Sequence, residues 1–116
     1  MPLCDRGEVE RQEKKKEART YEELLKALDQ DIQSIGELRK EVLKTPFDAG
    51  LRSRIGVLFL KNGQIDDAMH WFAGALSIDN RHQATHEALA NYYERTGDQE
   101  KARKHRRILA EIAPKP

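Results

Sequence analysis

The sequence predicts an all-α fold: a short helical-repeat solenoid with a long N-terminal helix. Three observations lead there. Apolar residues recur in steps of three and four, and no stretch alternates with period two over a useful length. Helix breakers fall at regular places, at Thr45-Pro46, Asn62-Gly63, Asp79-Asn80 and Thr96-Gly97. The stretch from Ile55 to Pro114 also matches itself at a shift of 34 residues. The shift pairs Gly63 with Gly97, Ile55 with Leu89, Gly56 with Ala90 and Phe59 with Tyr93. It also pairs Ala68 with Ala102, Ile78 with Ile112 and Asn80 with Pro114. A period near 34 with small and aromatic residues in fixed order marks a helix–turn–helix repeat.

The N-terminal stretch divides by composition. Residues 1–7 read as a frayed end or turn, with Gly7 as a helix stop. From Glu8 to Arg19 the chain is almost all charge and has no apolar face. Thr20-Tyr21-Glu22-Glu23 fits a capping box, which starts a new helix or lies inside one long helix from about Glu8. From Tyr21 onward, Leu24, Leu25, Leu28, Ile32, Ile35, Leu38 and Val42 form one stripe. Pro46 ends that helix, because the residue before proline avoids the α region. The domain boundary is therefore drawn between residues 1–46 and 47–116.

Asp48 is the expected N-cap of a helix over 49–61 that turns Leu51, Ile55, Leu58 and Phe59 inward. Asn62-Gly63 ends it, since glycine accepts the left-handed conformation. The next helix is expected over 65–78, with Ala68, Met69, Phe72, Ala75 and Leu76 inward. Asp79-Asn80 caps a helix over about 81–95, and Asp98 caps a last helix that ends at Ala113-Pro114. Trp71 and Phe72 are adjacent and cannot face the same way. Phe72 is assigned to the core and Trp71 to an edge or a contact surface.

Composition limits the function classes. Charged residues make up 35% and hydrophobic residues 38% of the 116 residues, which suits a thin solenoid better than a thick globule. The formal net charge of +1 gives no global pull toward nucleic acid or anionic membrane. Cys4 is the single cysteine, so an intrachain disulfide and a thiolate cluster are ruled out. It is read as inert. No apolar run reaches the length of a membrane span and the start lacks an apolar signal core, so a cytoplasmic location is expected.

Chemistry-bearing patterns are sparse. His82 and His86 stand four apart, a spacing that suits a metal pair, but no third ligand is placed by sequence. The structural reading is preferred, and no metal or cofactor is expected. Lys101, Arg103, Lys104, His105, Arg106 and Arg107 form a basic run without interleaved aromatics. It reads as a solvated face near a helix C-terminus, and no nucleic acid partner is expected. No serine lies in a nucleophile elbow and no glycine-rich phosphate loop is present, so no catalysis is expected.

Residues 47–114 resemble the tetratricopeptide repeat family. The first unit supplies Ile55-Gly56, Phe59, Gly63, Ala68, Phe72 and Ala75. The second supplies Leu89-Ala90, Tyr93, Gly97, Ala102 and Pro114. The chain departs from the family pattern at Arg52 and His86, where a large apolar residue belongs. It departs again at Asn80, Arg106 and Leu109. The resemblance implies a non-catalytic scaffold whose first helices line a concave groove for a peptide or partner helix. Carried over by position, that groove comprises Ser53, Val57, Leu60, Lys61, Glu87, Asn91, Glu94 and Arg95. The family's carboxylate clamp is matched only at Asn91, with Ala88 where a second asparagine belongs, so chaperone-tail binding is not expected.

Two alternatives stand beside the scaffold. One is a structural element in which residues 8–44 make a homo-oligomer through the seam Tyr21, Leu25, Leu28, Ile32 and Ile35. The other is the C-terminal end of a longer repeat protein. Two repeats bury little core alone, so the Tyr21–Val42 helix is expected to pack on the first repeat as a missing neighbour through Leu28 to Val42, with its first half free to self-associate.

Overall fold

A computed structural model describes residues 2–112, with side chains described from Gly7 onward. The expectations for Cys4, Ala113 and Pro114 lie outside that description. Five helices follow one another: α1 (Pro2–Lys44), α2 (Ala49–Lys61), α3 (Ile65–Ile78), α4 (Gln83–Thr96) and α5 (Gln99–Ile112). No strand occurs among the described residues.

The chain divides into two compact units at Ser34/Ile35, inside α1 and not at Pro46. The last turns of α1 therefore belong with α2 to α5. The first unit is one helix. Thr20 does not open a new helix there. Its hydroxyl donates back to the Lys16 carbonyl at 3.0 Å, as a helix-interior threonine does. Gly7 likewise lies within the helix and does not stop it. Tyr21, Leu24, Leu25, Leu28 and Ile32 are all exposed on this unit.

In the second unit, α2 pairs with α3 and α4 with α5, and smaller contacts join α2 and α3 to α4. The turns follow their residues. Asp48 caps α2 by accepting from the Leu51 amide at 3.2 Å. Gly63 and Gly97 close α2 and α4 with φ of +78° and +86°, a conformation that costs other residues a Cβ clash. Asp98 caps α5 by accepting from the Lys101 amide at 3.2 Å. The start of α4 falls later than the sequence suggests. Asp79 accepts from the Arg81 amide at 3.0 Å, which holds a turn, and His82 becomes the N-cap residue.

Two apolar clusters hold this unit. Ile35 and Val42 of α1 meet the fully buried Ile55 of α2, with Leu38, Leu51, Leu58, Phe59 and Trp71 around them. Only Ile35, Leu38 and Val42 of the N-terminal stripe join this core; of the Leu28–Val42 span expected to pack, Leu28 and Ile32 are exposed instead. Ala68, Phe72 and Leu89 form the second cluster, which joins α3 to α4. Ala68, Ala75, Ala90 and Ala102 are buried, and their small size lets backbones approach. Trp71 is half-buried at the edge of the first cluster, with the guanidinium groups of Arg39 and Arg52 each 5.8 Å from its ring.

Candidate binding groove

Three of the helices shape an open trough. Val57 and Leu60 of α2 and Ala88, Asn91, Glu94 and Arg95 of α4 line a depression of about 640 Å³. Beside it, Leu60, Ile65, Tyr92, Arg95 and Thr96 line a smaller one of about 270 Å³. Leu60 and Arg95 belong to both, so the two depressions adjoin. The floor is apolar, from Val57, Leu60 and Ala88, and the α4 side is polar. Val57 remains exposed on α2 because Ile55 and Gly56 take the buried positions beside it.

Five of the eight residues expected in a groove line the larger depression: Val57, Leu60, Asn91, Glu94 and Arg95. Lys61 and Glu87 are exposed but lie outside its lining. Glu87 accepts from the Gln83 side-chain amide at 3.2 Å along the α4 surface. Ser53 is a correction. It is 2% exposed and faces the interior, where its hydroxyl has no hydrogen-bond partner among the described residues. Its helix is covered on that face, so Ser53 offers a partner nothing to touch.

In the sequence Arg106 of α5 stands out as a departure from the repeat pattern and as a member of the basic run. In the structure it organises the polar side of the trough. Its Nε and Nη2 donate to the two carboxylate oxygens of Glu94 at 2.8 and 3.1 Å. Nη2 also donates to Oδ1 of Asn91 at 2.6 Å. A guanidinium has only donors, so the oxygen of Asn91 must face it and the amide nitrogen must face away. The trough therefore meets an asparagine that offers hydrogens. The Glu94 carboxyl is held below its usual range by the Arg106 hydrogen bond first, with burial opposing it and the Arg106 charge adding to it. Arg106 is raised in turn by that same bond. Arg95 stays exposed as a cation on the rim.

The histidines go elsewhere. His82 and His86 do not converge. His82 Nδ1 lies 2.8 Å from the Thr85 hydroxyl, whereas His86 bonds the Asn80 carbonyl through Nε2 at 2.9 Å. A carbonyl only accepts, so His86 Nε2 carries the hydrogen. His86 Nδ1 lies 2.9 Å from His105 Nδ1, and that contact ties α5 to α4. His105 also stacks on Tyr93, with rings 5.8 Å apart and 10° from parallel. Burial, then His86, then Lys104 push the His105 pKa down. These partners explain how a polar residue occupies the buried apolar position at His86.

No group of three or more metal-ligating side chains gathers among the described residues. No helix among them is long and apolar enough to cross a membrane. No family model matches the chain, and no curated protein matches it either.

Proposed function

We propose that this chain is a tetratricopeptide-type scaffold of two repeats over residues 47–114. On this reading it carries no catalysis and holds a peptide or partner helix in the trough between α2 and α4. One observation carries the reading. Side chains about one repeat apart in sequence, Val57 and Leu60 against Asn91 and Arg95, border a single depression. The apolar floor suits an apolar side chain of the ligand. The Asn91 amide hydrogens and the Arg95 guanidinium suit carbonyl or carboxylate oxygens beside it. A cytoplasmic setting is compatible with this role.

The test is affinity capture with the wild-type chain and with an Asn91→Ala, Arg95→Ala variant. Both residues are exposed, so the variant should melt within a few degrees of the parent. Loss of the captured partner with the fold intact supports the groove. Equal capture by both chains removes it.

A further inference from the structure

Within the second unit, α5 packs on α4 alone. Polar groups join the two helices along their length. Lys101 Nζ stands 5.3 Å from the Tyr93 ring, and Arg106 forks onto Glu94 and Asn91. Lys101, Glu94 and Arg106 are solvent-exposed, and exposed charge contacts hold little. The histidine pair between them differs. His86 is 3% exposed, and the half-buried His105 ring stacks on Tyr93 beside it.

The pair can be counted in protons. The Asn80 carbonyl holds one hydrogen on His86 Nε2. The two Nδ1 atoms, 2.9 Å apart, share another. Two neutral rings supply that hydrogen. So does a pair with one excess proton, whichever ring carries the charge. With two excess protons each Nδ1 holds its own hydrogen, so two donors face each other and like charges stand ring to ring. The surroundings do not relieve this. Tyr93 is uncharged, and Lys101 and Lys104 of α5 add positive charge. The carboxylates near the pair in sequence are engaged: Glu94 by Arg106, Glu87 by Gln83 and Asp79 by the Arg81 amide. His82, one turn before His86, is bonded to Thr85. Burial, then His86, then Lys104 lower the His105 pKa, so that ring takes its proton only in acid.

We propose that the His86–His105 pair is an acid-operated latch on the trough. The latch holds through the first excess proton. The second opens it, loosens α5 from α4 and withdraws Arg106, the next residue, from Asn91 and Glu94. The Asn91 amide then loses the group that orients it, so the trough is set near neutral pH and unset in acid. This effect on binding rests on the trough being the partner site, whereas the latch does not.

The experiment needs no partner, so a failed latch and a failed groove are told apart. Side-chain nitrogen–proton signals of the labelled full chain are followed from about pH 7.5 to about pH 5, together with the His105 ring nitrogens. The Arg106 Nε and Asn91 amide signals should move with the midpoint of the His105 ring. Glu94 is not the source, because its carboxyl is held below its ordinary range. Over the same span the α5 amides should lose about tenfold in exchange protection, after correction for intrinsic rates, while α2 and α3 keep theirs. His105→Gln places an amide that donates to or accepts from His86 Nδ1, so it keeps the contact in either state. In that variant the signals and the α5 protection should not depend on pH. Arg106 and Asn91 signals that stay fixed while the parent's His105 ring titrates would overturn the latch. So would a His105→Gln chain that keeps the parent's response.

Discussion

Gly56 of α2 rests against the ring of Phe72 of α3. A Cβ built on Gly56 would sit 2.6 Å from Cε1 and 2.7 Å from Cδ1 of that ring. Phe72 is fully buried and cannot swing away. Gly56→Ala gains up to about 1 kcal/mol of helix propensity. It loses about 1–3 kcal/mol to overpacking, and the loss is expected to win. The melting midpoint should fall. Phe72→Leu in the same chain should recover part of that loss, because the two changes share one contact. A Gly56→Ala chain that melts above the parent would show that α2 and α3 are less closely apposed than described.

Ser53 separates a buried role from a binding role. Its hydroxyl is interior and has no partner among the described residues. Ser53→Ala should leave stability unchanged or raise it by about 1 kcal/mol, since an unmet hydroxyl is costly to bury. Partner capture should be unaffected. Weaker capture with unchanged melting would return Ser53 to the groove.

Arg106→Ala tests whether α5 arranges the trough from behind. The lost ion pair with Glu94 is solvent-exposed, and exposed pairs contribute little to stability. The melting midpoint should barely move. Partner binding should weaken nonetheless, because Asn91 and Glu94 lose the group that orients them. Arg106→Lys should restore it only in part, since one ammonium cannot reproduce the forked contact.

Burial of His105, and after it the neighbouring His86, should make stability depend on pH. The folded pKa of His105 lies below its ordinary value near 6.5, so the unfolded chain takes up the proton first. This contribution is complete above about 6.5 and is lost as pH falls through the lower folded value. Melting midpoints measured from about pH 8 to pH 5 should decline for the parent. His105→Gln should flatten that decline. A His105→Gln chain with the parent's slope would place the dependence in other groups.

The helix boundaries were largely legible because their signals are local. Asp48, Gly63, Gly97 and Asp98 act within a few residues of themselves, and each sits where its chemistry demands. The late start of α4 is not legible locally, because Asp79 turns its side chain to the amide of Arg81. Thr20 has two local uses, cap or back-bond, and good helix formers on both sides favour the second. The stripe of α1 is continuous in sequence, yet Ile35 and Val42 are buried and Leu25 and Ile32 are not. Periodicity reports a face and not what covers it. Arg106 was illegible as a site residue because its partners Asn91 and Glu94 lie across a turn, 15 and 12 positions away. The same holds for His86 and His105, which are 19 apart.

The central claim is that the trough between α2 and α4 is where this chain holds its partner. Amide chemical shifts of the labelled chain, titrated with the captured partner segment, test it most directly. The account predicts that the largest changes fall on Val57, Leu60, Ala88, Asn91, Glu94 and Arg95, including the Asn91 side-chain amide. Changes confined to the outer surfaces of α3 and α5, with those six residues unmoved, would contradict it.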